Sequence, residues 1–181
     1  MIETVCKVPR GRLGRLGVLA ALVAVAAPAA PASAQDGSDP DFITLGVGAF
    51  DVNDDQDSAA QFEAQVRFDE QLWIFKPQAG LFVTSEGSFY VYGGVLVDIY
   101  LGRRLVLSPS FAVGAYEKSN GKDLGGLVEF RSAIELAYRF DDRSRLGLQY
   151  GHLSHAGIYS DNPGENFLIL NYSIPTGVFE R

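Results

Sequence analysis

His152 and Ser154 stand two residues apart near the end of a segment that alternates like a β-strand. Leu146, Leu148 and Tyr150 precede them at the same parity. Side chains at i and i+2 of a strand point to one side, so the two groups share a face. A serine hydroxyl needs an adjacent base to become nucleophilic near neutral pH, and imidazole is suited to that role. The pair therefore offers acyl-ester hydrolysis, but it continues an apolar stripe rather than a polar one. If that stripe faces lipid, the chemistry sits on the outside of a membrane barrel, where the abundant substrate is lipid.

The elements that must carry such a stripe alternate in the same way. Phe62, Ala64, Val66 and Phe68 alternate with Gln61, Glu63, Gln65 and Arg67. Val128, Phe130, Ile134, Leu136, Tyr138 and Phe140 alternate with Glu129, Arg131, Glu135 and Arg139. Val91, Val95, Val97, Ile99 and Leu101 oppose Tyr90, Tyr92, Gly94, Asp98 and Tyr100. The spacing predicts strands at 42–50, 60–68, 73–84, 88–101, 104–116, 127–140, 144–155 and 166–175. A tilted strand crosses hydrocarbon with about 9–11 residues, which these lengths match. The apolar face carries no charge in the strand centres and is too wide for one small core. The opposite face offers acid–base neighbours (Glu63 with Arg67, Glu129 with Arg131, Glu135 with Arg139). A packed polar lumen satisfies such groups. The expected fold is all-β, an eight-stranded antiparallel up-and-down transmembrane β-barrel. With both termini in the periplasm, the turns near 69–72, 102–103 and 141–143 are short. The outer connections 51–59, 117–126 and 156–165 are longer, as expected for outer-membrane barrels, although 85–87 is also short. Trp73, Tyr100, Tyr138 and Phe140 lie at strand ends, where interfacial aromatic girdles form.

Residues 1–34 read as a secretory signal peptide, leaving 35–181 as the barrel domain. Lys7, Arg10, Arg12 and Arg15 precede an apolar run from Leu16 to Ala27, and Ala32-Ser33-Ala34 closes it as a cleavage site. Removing the segment takes away four of 15 basic and one of 22 acidic residues, so a net charge of −7 becomes −10. An acidic chain of this kind offers no electrostatic case for nucleic acid. The single cysteine, Cys6, leaves with the signal, which excludes disulfides, thiolate nucleophiles and cysteine metal sites from the domain. No His/Cys ligand spacing is present, and the acidic residues Asp51, Asp54, Asp55 and Asp57 lack a calcium-loop pattern. They read as a solvated loop, and no metal or cofactor is expected.

The segment Gly151-His152-Leu153-Ser154-His155-Ala156-Gly157, the loop Asn162-Pro163-Gly164-Glu165-Asn166 and the strand Tyr172-Ser173-Ile174-Pro175 resemble the lipid A 3-O-deacylase (PagL-type) family. The motifs cover the last two strands. The resemblance implies an eight-stranded outer-membrane barrel with a His-x-Ser pair and a downstream acid on its exterior. It implies lipid A of lipopolysaccharide as substrate, other outer-membrane lipids as surroundings, and the Gram-negative outer membrane as location. A homodimer is an assembly it leaves open. His152 would be the base, Ser154 the nucleophile of a 3-hydroxyacyl ester.

The third member departs from the family. Counted from His152 without gaps, the family's glutamate position falls on Asn166, with Glu165 one residue earlier. Strand parity puts Asn166 with Leu168, Leu170 and Tyr172 on the apolar face, and Glu165 with Asn171 and Ser173 on the other. Glu165 is the preferred acid, because residues just before a strand obey the pleat loosely; Asn166 is the alternative. His155 stands where the family often has asparagine and is a candidate oxyanion donor beside the backbone N–H groups of Ala156 and Gly157. A loop histidine contacting headgroups is the other reading of His155. Two further functions stay open. An outer-leaflet phospholipid hydrolase would use the same His-Ser chemistry, and sensitivity to chelators would mark a calcium-dependent one. A non-catalytic barrel would explain the off-register Glu165.

Overall fold

Two sets of side chains, one apolar and one polar, are separated by the pleat of nine strand segments in the computed structural model, which describes residues 39–53 and 58–176. The segments are β1 Phe42–Phe50, β2 Ala59–Arg67, β3 Lys76–Thr84, β4 Phe89–Leu96, β5 Ile99–Leu101, β6 Leu105–Glu117, β7 Val128–Arg139, β8 Arg145–Ser154 and β9 Glu165–Pro175. Sequence neighbours pair antiparallel except β4 with β5, and β1 pairs with β9, so the sheet closes. β4 and β5 both pair with β6 and form two lengths of one barrel strand. The architecture is a closed eight-stranded antiparallel barrel. The expected signal peptide, Cys6, Asp54, Asp55 and Asp57 lie outside the described residues.

The break between β4 and β5 has a local cause. Val97 N–H donates to Pro109 C=O at 3.0 Å, but proline has no N–H to return the bond. Just beyond the break, Asp98 turns inward and accepts from Ser108 Oγ (2.7 Å) and Arg145 (3.1 Å). The predicted strand start at 73 is also corrected. Leu72 and Phe75 bridge each other across a tight turn in which Trp73 takes φ 67°, so pairing with β2 begins near Lys76.

The outward set is large and apolar: Phe62 is 53% exposed and Leu148 52%. The inward set is buried and mixes charged and amide groups with an aromatic cluster that includes Phe50, Phe82, Tyr90 and Tyr116. Water would expel the first and hydrate the second, so this distribution suits a hydrocarbon solvent. Inside, partners differ from those expected from sequence proximity. Arg67 grips Glu135 through two 2.8 Å bonds, and Asn171 Nδ2 adds a third at 2.6 Å. Arg131 donates to Glu63 (3.1 Å) and Gln149 (2.8 Å) while its guanidinium lies 4.4 Å from the Phe167 ring centroid. Arg139 reaches Asp39 at 3.6 Å, not Glu135. Residues two apart on a strand point side by side, whereas a narrow lumen brings facing strands together.

Removing one partner of such a pair leaves a buried charge uncompensated. We expect Arg67→Ala to destabilise the barrel by roughly 3–5 kcal/mol. Denaturant unfolding in detergent micelles measures it. The double variant Arg67→Met/Glu135→Met should lose less, because neither charge is then stranded.

Candidate active site

β8 and β9 carry the site at the barrel end where the longer loops emerge. Antiparallel register sets His152 opposite Asn166 on β9 and opposite Ser132 on β7. All three side chains take the outward parity of Tyr150 and Leu168. His152 Nδ1 lies 3.0 Å from Asn166 Oδ1. With the amide oxygen accepting, Nδ1 carries the proton and Nε2 keeps its lone pair, the tautomer a general base requires. Asn166 is itself pinned, because its carbonyl accepts from Val52 N–H at 2.9 Å. Ser154 stands one pleat nearer the loops on the same face, opposite Phe130. Among the described residues no hydrogen bond joins its hydroxyl to the imidazole. Such contacts commonly tighten only when substrate arrives.

Gly164 backs the ring. It takes φ 60°, and a Cβ there would lie 2.9 Å from His152 Cε1 and 3.3 Å from Nε2. We expect Gly164→Ala to displace the imidazole and lower any turnover this site supports about 100-fold. The backbone cost should stay near ~1–2 kcal/mol. Kinetics beside an unfolding curve on the same preparation separate the two effects.

Glu165 is not brought to His152. β9 begins at Glu165 itself, which already pairs with Leu153, so the pleat holds it inward. There its Oε2 accepts from Asp51 N–H at 3.1 Å. The looseness expected before a strand has no place to act. His155 is likewise turned inward and fully buried. Its Nδ1 accepts from Tyr159 N–H (3.3 Å), its Nε2 donates to Asp161 C=O, and its backbone N–H donates to Asn162 Oδ1 (3.2 Å). This histidine clamps the 155–164 loop, and its ring has no free donor for an oxyanion. Ala156 and Gly157 follow with φ 53° and 83°, forming a tight turn closed by Ile158 N–H to His155 C=O at 3.0 Å.

Residues 65–175 match the family model described as "Lipid A 3-O-deacylase (PagL)". The chain belongs to the PagL family. It is 32% identical over 85 residues to the lipid A deacylase PagL of Bordetella bronchiseptica, an alignment covering 47% of this chain and 40% of that relative. The chain thus spans less than half the length of the curated relative it matches. A crystal structure of the outer membrane enzyme PagL superposes with a TM-score of 0.61 at 20% identity. The match covers 74% of this chain and 99% of that one, and it supports the barrel architecture.

Within this PagL-family barrel the structure places an imidazole, a hydroxyl and an amide on one outward face. The amide holds the tautomer but adds no negative charge beside the ring. Ser132, directly across from His152, completes the row on the β7 side. Reading single strands does not find it, because its proximity follows from the β7–β8 register alone.

Proposed function

We propose that this protein is a serine ester hydrolase of the Gram-negative outer membrane that removes a 3-hydroxyacyl chain from lipid A of lipopolysaccharide. It would reach that membrane as residues 35–181, after cleavage of the leader. The observation that carries the reading is the His152–Asn166 hydrogen bond on the apolar exterior, with Ser154 on the same face. Placed at the long-loop end, this face lies level with the outer leaflet, so the scissile ester is met from within the membrane.

Ser154 Oγ attacks the ester carbonyl while His152 Nε2 takes its proton. The tetrahedral oxyanion is held by the backbone N–H groups of Ala156 and Gly157, which follow the strand end. Collapse passes the proton from His152 to the departing sugar oxygen and leaves the acyl chain on Ser154. Water, deprotonated by the same imidazole, attacks the acyl-enzyme and frees the fatty acid. Asn166 keeps the ring in its productive tautomer throughout, and no metal is required by these steps.

The test is a mass spectrum of lipid A from cells expressing the wild-type chain beside Ser154→Ala. Wild type should lose the mass of one hydroxyacyl chain, and the variant should not. Unchanged lipid A in both, with the barrel inserted, would overturn the reading; a lysophospholipid product would redirect it to phospholipid.

A further inference from the structure

The loop between β6 and β7 carries Gly125-Gly126, and both glycines lie against the segment that follows Ser154. A Cβ on Gly125 would fall 2.2 Å from the Asp161 carbonyl oxygen. One on Gly126 would fall 1.9 and 2.0 Å from two ring carbons of Tyr159, so that ring fills the space a side chain would take. Tyr159 and Asp161 are the residues that hold the His155 ring, one at each nitrogen. The Tyr159 ring also stands edge-on to the imidazole, with centroids 5.1 Å apart. The two glycines thus seat both arms of the His155 clamp.

The seat is fixed to the barrel. Leu124, next to it, is fully buried in the aromatic cluster of the lumen. Lys122 pairs with Asp51 at the end of β1, and its carbonyl accepts from Tyr116 Oη at 2.8 Å. Gly125 N–H donates to Asp123 Oδ1 at 2.9 Å, and Tyr116 N–H donates to Leu127 C=O at 2.8 Å, which closes the loop onto β6. The clamp is shaped instead by bonds inside its own segment. Besides the two at the His155 ring, Ile158 N–H donates to His155 C=O (3.0 Å) and His155 N–H donates to Asn162 Oδ1 (3.2 Å). Where seat and clamp press together, the clamp is therefore the part that shifts.

We propose that Gly126 is a positioning residue: by leaving room for Tyr159 it sets the place of the 155–158 turn, and with it the Ala156 and Gly157 N–H groups assigned to the oxyanion; this rests on the ester-hydrolase reading above. An alanine at 126 would drive the ring back by about 1.5 Å to regain a contact of about 3.5 Å. Tyr159 N–H is bonded to His155, so the turn moves with the ring. A displacement of about 1 Å in a positioning group costs about 100-fold in rate. The backbone at Gly126 lies outside the left-handed region, whereas Gly125 takes φ 91°, so Gly126 is the position where an added methyl tests the contact without backbone strain. The β6–β7 loop supplies no group to the reaction and yet governs its rate.

The experiment uses the full barrel folded in detergent micelles and a glucosamine-based glycolipid carrying an ester-linked 3-hydroxyacyl chain. kcat and KM are measured for wild type, Gly126→Ala, Tyr159→Ala and the double variant. Gly126→Ala should lower kcat about 100-fold with KM within about twofold of wild type. Tyr159→Ala removes the ring without a clash and loosens one arm of the clamp, so kcat should fall only about 3- to 10-fold. The double variant should match Tyr159→Ala, because the alanine at 126 then meets no ring, and the second substitution restores activity lost to the first. A double variant as slow as Gly126→Ala, or slower, overturns the proposal, since the alanine would then act through the fold. Wild-type kcat in Gly126→Ala, or a change confined to KM, also overturns it. If Gly126→Ala does not fold, Tyr159→Ala carries the test, and wild-type kcat in that variant overturns the proposal. Wild-type protein that leaves the ester intact, while shown to be folded, defeats the hydrolase reading itself, a distinct outcome.

Discussion

Ser154→Ala, His152→Ala and the double variant should all fall to one common floor, at least about ten-thousand-fold below wild type in kcat. The hydroxyl is inert without the base, and the base has nothing to activate without the hydroxyl, so the two losses overlap instead of multiplying. Single-turnover deacylation in micelles measures each rate, and an acyl-enzyme trapped at acid pH should appear in wild type alone. Both side chains face outward from β8 and neither contributes to the lumen packing, so the barrels should unfold at similar denaturant concentrations. Losses that multiply in the double variant would mean that the residues act independently, and the shared mechanism would be wrong.

Replacing Asn166 should move activity in both directions. Asn166→Ala removes the acceptor 3.0 Å from Nδ1 and frees the ring to take the other tautomer, for an expected loss of about 10- to 100-fold. Asn166→Glu restores a charge beside the imidazolium that forms in the transition state. At a lipid-facing surface the effective dielectric is low, so a gain of about 10-fold or more is expected. Glu165→Gln is the companion measurement. That carboxylate bonds Asp51 N–H inside the barrel, so the change should leave kcat unaltered and alter stability instead. If Glu165→Gln abolished turnover while Asn166→Ala did not, the assignment of the orienting group would be reversed.

The barrel is legible in the sequence because its signal has period two and repeats. Phe62, Ala64 and Val66 against Glu63, Gln65 and Arg67 state both the strand and its faces. The same parity places Asn166 outward and Glu165 inward, and relaxing that rule at a strand start is what misdirects the choice of acid. Pairing across the lumen is not legible in the same way. Arg67 and Glu135 are 68 positions apart and meet through barrel closure. His155 adjoins the outward Ser154, but its parity and the acceptors Asp161 and Asn162 pull it inward. Trp73 looks like a strand start because aromatic residues favour sheets, yet its φ of 67° makes it the apex of a turn.

The lumen has a consequence for permeability. Arg131, Arg145, Phe50, Phe82 and Phe167 are fully buried along the interior, and the charged groups are knitted to one another across it. Among the described residues these side chains pack across the bore, and loosening the plug would strand several charges at once. Inserted in a planar bilayer, the protein should therefore be electrically silent. A cell could carry many copies of it without becoming leaky to small solutes, because the proposed lipid chemistry lies on the outside wall while the bore stays shut.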